Sequence, residues 1–176
     1  MYIHVKSQMP QMKKHCSTLD LDGTGYCASF NFRRTARAVT RLYDMALQES
    51  GIRSTQFAIL VGVVKNQPVS IGALADVLVI DSSTLTRSLR LLEKEGLVSI
   101  SKRAAMRQRF LTLTAKGEHT LARSLPAWRT AHGRFVATMG SEYWIALRSE
   151  LERLAHVALD LEKREIQTPA LARIRS

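Results

Sequence analysis

Side chains able to hold a metal or attack a substrate are few in this 176-residue chain, and their spacing keeps them apart. The five histidines, His4, His15, His119, His132 and His156, never recur at three- or four-residue steps, so no helix face would gather two of them. Cys16 and Cys27 are too few for a disulfide framework and lack the paired spacing of a zinc site. There is no glycine loop to cradle a phosphate, no local Ser/His/Asp or Cys/His constellation, and no carboxylate pair on an apolar face. Neither an enzyme nor a metal or other cofactor is therefore expected. The concerted chemistry lies in hydroxyls and cations. Ser82, Ser83, Thr84, Thr86, Arg87 and Arg90 fall in one short run, followed by Lys102, Arg103, Arg107 and Arg109. Small hydroxyls allow close approach to a base edge, and an arginine fork grips guanine or phosphate through two parallel hydrogen bonds.

The charge supports an anionic partner. The chain carries a net +11, which attracts nucleic acid, an anionic membrane or an acidic protein. From Ser82 to Arg109 seven cations face only Glu93 and Glu95. A second basic group, Arg33, Arg34, Arg37 and Arg41, falls on the first long helix. The C-terminal part mixes signs (Glu150, Glu152, Arg153, Glu162, Lys163, Arg164, Glu165), the pattern of a solvated helix face. No run approaches the ~18 apolar residues of a membrane span, and the start lacks the apolar stretch of a secretory signal. A cytoplasmic location without membrane contact is expected. Hydrophobic residues, at 45%, suffice for a packed core.

The elements that would position these groups can be followed along the chain. Phe32, Ala36, Val39, Tyr43, Ala46 and Leu47 recur at helical steps, and Gly51 suits the left-handed stop after that helix. Ser54 is placed to cap the next helix, whose run Phe57–Val61 reads as nearly all buried and which Asn66-Gln67-Pro68 ends. Ser70 caps a short helix with Ile71, Leu74, Ala75 and Leu78 inward. A tight break at Val79-Ile80 leads to Asp81, the cap of a second helix with Leu85, Leu89 and Leu92 on its rear and Gly96 at its end. Residues 97–101 and 109–113 alternate as strands around a basic loop, Lys102 to Gln108. Thr114 caps a long helix that Pro126 is expected to kink or break. Gly140-Ser141 opens a last helix with Trp144, Leu147, Leu151, Leu154, Val157, Ala158 and Leu161 on one stripe.

Two short helices with a tight break and then a basic hairpin are the parts of a winged helix-turn-helix. The expected fold is mainly α with a small β-wing. Its parts are a flexible segment 1–25, a dimerisation helix 26–53, a winged lobe 54–113, C-terminal dimerisation helices 114–166 and a loose tail 167–176. The second short helix would enter the major groove of double-stranded DNA, and the hairpin cations would lie along phosphates or reach the minor groove. A basic helical protein that binds nucleic acid without sequence preference, or binds a protein, remains the alternative.

Local phrases sharpen this. Leu74-Ala75, Asp81 to Arg87, Leu92-Glu93-Lys94-Glu95-Gly96-Leu97-Val98 and Leu113-Thr114-Ala115-Lys116-Gly117 together resemble the MarR family of bacterial regulators over about residues 28–161. The resemblance implies a homodimer with interleaved terminal helices and two lobes on half-sites ~34 Å apart. It also implies repression as the usual mode. One departure stands out: Ala105 replaces an Asp that the family commonly places two residues before the arginine matching Arg107. Members of the family often release DNA when a small, commonly phenolic molecule enters a cleft between dimer arms and DNA lobe. The matching positions are Phe30, Arg37, Arg41, Tyr43 and Gln56, although Phe30 and Tyr43 equally fit a dimer core and the arginines a solvated face. Cys27 lies where a helix N-terminus makes a thiol more reactive and resembles a position used by peroxide-sensing relatives, although Ser29 stands where some carry a second cysteine. Cys16 is a conceivable resolving partner, and a purely structural Cys27 is the other reading.

Overall fold

The computed structural model describes residues 24–102 and 109–174. Among them run α1 (Ala28–Leu47), α2 (Ser54–Asn66), β1 (Val69–Ser70), α3 (Ile71–Leu78), α4 (Ser82–Lys94), β2 (Val98–Lys102), β3 (Arg109–Leu113), α5 (Ala115–Met139) and α6 (Ser141–Ile174). The chain divides into two compact units, one ending at Ala38 and one beginning at Val39.

In the first unit, Cys27 stands one residue ahead of α1, and its carbonyl accepts the Asn31 N–H at 3.1 Å. The Asn31 amide also donates to the carbonyls of Gly25 and Cys27, tying the single 3-10 turn Thr24–Tyr26 to the helix start. Every described residue here is exposed, Phe30 and Phe32 included.

The second unit is built on a leucine core. Leu47, Leu60, Val63, Leu74, Leu85, Leu89, Leu92 and Leu111 are fully buried. They draw together the end of α1 and helices α2, α3 and α4 over a three-stranded antiparallel sheet ordered β1-β3-β2. Val98 faces Leu113 and Ser101 faces Phe110, so the hairpin register puts Leu111 inward. Loss of water contact by eight such side chains, at ~1.5–3 kcal/mol each, is the main force that closes the lobe.

Most stops and starts fall where the sequence places them. A 3-10 turn, Gln48–Ser50, follows α1, and Gly51 takes the left-handed conformation with φ 76°. Ser70 accepts the Ala73 N–H, Asp81 caps α4, Gly96 ends it with φ 70°, and Thr114 accepts the Gly117 N–H. Three differences have physical reasons. Ser54 does not cap α2: its N–H and hydroxyl both donate to Asp44, each at 2.7 Å, while Gln56 reaches back to the N–H of Arg53. Pro126 neither ends nor divides α5, which is helical from Ala115 to Met139. Proline removes one helix bond, and packing on α2, β3 and α6 offsets that loss. Strand β1 is only two residues long, too short for alternation to reveal, and it is held by pairing with Leu111 and Phe110. Helix α6 extends past Gln167 and Pro169 to Ile174. One stripe of it carries exposed Tyr143, Leu151, Leu154, Val157 and Leu161. Among the described residues no helix is long and apolar enough to cross a membrane.

Candidate nucleic-acid interface

Helix α4 owes its orientation to three leucines. Leu85, Leu89 and Leu92 recur at four and three residues, lie on one stripe, and are fully buried. That anchoring leaves Ser83, Arg87, Arg90 and Lys94 on the opposite arc, all exposed. Ser82 and Thr84 are exposed at the flanks, and Thr86 is half-buried with its hydroxyl donating to the Ser82 carbonyl at 2.7 Å. The face presented outward is therefore hydroxyl and guanidinium, with no carboxylate in the first turn.

The start of α4 is locked. Asp81 Oδ1 accepts the backbone N–H of Ser83 at 2.8 Å and of Thr84 at 3.0 Å, and also the Ser83 hydroxyl. These bonds, the Ser83 hydroxyl foremost, hold the Asp81 carboxyl below its ordinary pKa, so it stays an anion and an acceptor. The price is that the Ser83 hydroxyl proton is engaged, leaving its oxygen lone pairs for an incoming donor. Ser70 differs, since its Oγ accepts the Ala73 N–H as the α3 cap. The helix end is held elsewhere: the Glu95 carbonyl accepts Lys116 Nζ from α5 at 2.7 Å, and its carboxylate accepts the Gln56 amide from α2 at 3.3 Å. Between α3 and α4, Val79 adopts φ 51°, a left-handed turn that a β-branched residue rarely takes, and Ile80 bonds back to Ala75.

Beyond α4, Arg109 is exposed on β3 and pairs in register with Lys102 on β2. Arg103, Arg107 and Ala105 lie outside the described residues. The root of the hairpin is tight. Gly117 on α5 sits against the Leu97 backbone, Thr114 donates its hydroxyl to Gly96, and its N–H goes to Leu97.

Of the five cleft residues, Arg41, Tyr43 and Gln56 belong to the second unit, and these three do not share one hollow. Arg41 and Gln56 line a hollow of about 820 Å³ with Asp44, Arg53, Ser88, Leu91 and Glu95, so α4 itself forms one wall. Tyr43 lines a different, more apolar hollow of about 380 Å³ with Phe57, Val61, Lys65, Val77 and Trp128. Phe30 and Arg37 belong to the first unit and are exposed. Composition gave no sign of two features around these hollows. Asp44 ties α1 to α2 through Ser54 and an ion pair with Arg53 at 3.5 Å, and the Ser54 N–H above all lowers its pKa. An aromatic column also runs from Phe57 through Trp128 and His132 to Trp144 and Phe135. His132 lies flat on Trp128 at 4.9 Å and edge-on to Trp144 at 5.9 Å, with Tyr43 Oη 2.9 Å from its Nδ1. Burial raises the Tyr43 pKa, so the phenol keeps its proton. Cys27 is a free, exposed thiol. No group of three or more metal-ligating side chains occurs among the described residues.

A buried-backed helix bearing hydroxyls and arginines, preceded by a short helix and followed by a β-hairpin, defines a winged helix-turn-helix protein. The family model for MarR matches residues 52–104. The chain is similar to MosR of M. tuberculosis, solved with DNA, at 32% identity and TM-score 0.70, covering 75% of this chain and 96% of that one. Its fold matches PcaV from Streptomyces coelicolor, solved with its natural ligand, at 19% identity and TM-score 0.70 over 80% and 99% of the two chains. It also matches a mutant of E. coli MarR complexed with operator DNA, at 20% identity and TM-score 0.69 over 77% and 99%. No curated protein sequence matches it. The chain belongs to the MarR family of DNA-binding transcription regulators.

Proposed function

We propose that the chain is a homodimeric, sequence-specific repressor that reads a pseudo-palindromic operator with α4. The observation that carries this is the α4 geometry: three fully buried leucines fix which arc faces out, and that arc holds Ser83, Arg87 and Arg90. In this reading Arg87 and Arg90 reach base edges or phosphates. Ser70, Ser82, Ser83, Thr84 and Thr86 approach the strands, and Lys102, Arg103, Arg107 and Arg109 bind backbone from the wing. The exposed apolar row of α6 supports dimerisation, because a row of that length on one surface favours a second copy. A small aromatic effector would bind the hollow lined by Arg41 and Gln56. Its occupancy would bear on Ser88, Leu91 and Glu95 and so on the set of α4. Cys27, exposed ahead of α1, offers oxidation as a second release signal.

The test is fluorescence anisotropy with DNA from upstream of the chain's own gene and a shuffled control at physiological salt. A specific-to-random ratio of ~10³ or more is expected. Equal affinity for both would favour a non-specific binder. Phenolic acids, and peroxide with Cys27→Ser as control, then test release.

A further inference from the structure

We propose that the first half of α1 is a second phosphate-binding surface, which holds DNA backbone through Arg33, Arg34 and Arg37 in addition to the contacts of the winged lobe. The inference rests on the reading of this chain as a DNA binder. Three observations favour it. The three arginines occupy one exposed patch, since steps of three and four residues place them within an arc of about 100°, with Arg33 and Arg37 one turn, roughly 6 Å, apart. No acidic residue occurs from Thr24 to Ala38, α1 has no acid in its first turn, and none of the three arginines has an ion pair among the described residues. Their mutual spacing also works against the helix, because like charges at i,i+3 and i,i+4 repel. Such an arrangement is relieved when a polyanion binds.

The chemistry selects phosphate over a general acidic partner. All three cations are arginines, whose planar fork meets two phosphate oxygens at once, where lysine offers a point charge. The winged segment from Ser82 to Arg109 supplies a net of only +5 out of the chain's +11. Of the described residues outside it, Arg33, Arg34 and Arg37 are the densest group of one sign. Contacts of this kind carry no base information. They lengthen the DNA site and steepen its salt dependence without changing which sequence is preferred.

The test is made on the full chain with the triple variant Arg33→Gln/Arg34→Gln/Arg37→Gln, glutamine being a comparable helix former. Anisotropy titrations on operator and shuffled duplexes across a salt series give the slope of log K against log salt, and sedimentation velocity gives the assembly state. If each arginine meets one phosphate, the slope should shrink by about 2.7 on both duplexes, with affinity at 0.15 M salt falling on the order of 100-fold and the specific-to-random ratio unchanged. An unchanged slope overturns the proposal. So does a variant that falls apart into monomers, because the arginines would then be pairing with acids of a second copy. A parent chain that binds both duplexes equally would sink the operator reading alone, and the slope difference would still decide the role of the three arginines.

Discussion

Replacing either of two glycines in α5 by alanine should change stability in opposite directions. A Cβ built on Gly117 would lie 1.9 Å from the Leu97 carbonyl oxygen, 2.9 Å from its carbon and 3.3 Å from its Cα. Real Cβ contacts essentially never fall under 3.0 Å, so the start of α5 and the entry to β2 must part by more than 1 Å. The obstacle is backbone, which cannot rotate away as a side chain can. The same Leu97 carbonyl accepts the Thr114 N–H at 3.2 Å, and the Thr114 hydroxyl bridges Gly96 at 2.6 Å and the Gly117 N–H at 3.0 Å. Parting the pair therefore strains the junction by about 1–3 kcal/mol and disturbs one or two hydrogen bonds of about 1 kcal/mol each. Alanine returns about 1 kcal/mol through helix propensity. The net expected for Gly117→Ala is a loss of about 1–4 kcal/mol. At Gly133, in the same helix, a Cβ meets nothing within 4 Å, so Gly133→Ala should gain up to about 1 kcal/mol.

Urea unfolding at one fixed protein concentration separates the two, since association would otherwise shift the midpoint. With a slope of about 2 kcal/mol per molar, Gly117→Ala should lower the midpoint by about 0.5–2 M and Gly133→Ala raise it by up to about 0.5 M. A rise in both midpoints, or a Gly117→Ala protein as stable as the parent, would refute the close approach of α5 to Leu97.

Asp81→Ala should lower the melting temperature by removing the α4 cap and should weaken DNA binding, whereas Asp81→Asn, which can still accept both N–H groups, should retain most of each; thermal melts and anisotropy report the two effects. Asp44 has its pKa lowered by the Ser54 N–H, the Ser54 hydroxyl and Arg53, so its contribution is complete above the unfolded value near 3.8 and is lost as pH falls through the lower folded value. Asp44→Asn should therefore be less stable than the parent by about 1–2 kcal/mol at pH 7, with the gap closing below about pH 4, and denaturant midpoints across that range would expose a gap that stays constant. Arg87→Ala should weaken operator binding by about 1–3 kcal/mol and relax preference at one base pair, which a panel of single-substitution duplexes would read out; unchanged preference would remove Arg87 from the base-reading set.

What could be read from the sequence is what short-range spacing encodes. The period of Leu85, Leu89 and Leu92 says which side of α4 is inside, and by subtraction which residues face out. Asp81, Ser70, Thr114, Gly51 and Gly96 mark helix ends because capping is settled within three or four residues. Longer-range arrangements were hidden. Ser54 looked like a cap because the competing acceptor, Asp44, lies ten residues earlier on another helix. Pro126 looked like a breaker because a proline's cost is local, while the packing that offsets it comes from α2, β3 and α6. Of the cleft positions carried over by family resemblance, Arg41 and Gln56 line one hollow and Tyr43 another, since a hollow depends on how helices meet and no run of sequence records that. The column through His132 joins residues up to 89 positions apart and left no mark in the spacing of the histidines.

That column has a spectroscopic consequence. Trp128 and Trp144 are the only two tryptophans in the chain, and both pack on the His132 ring. The intrinsic emission of the protein therefore comes from one spot where α2, α5 and α6 meet, and α4 contributes no indole to it. Emission will therefore follow the integrity of this junction. Quenching at fixed pH on addition of a small aromatic compound would locate that compound at the Tyr43 and Trp128 hollow. Release of DNA with emission unchanged would locate it against α4 instead.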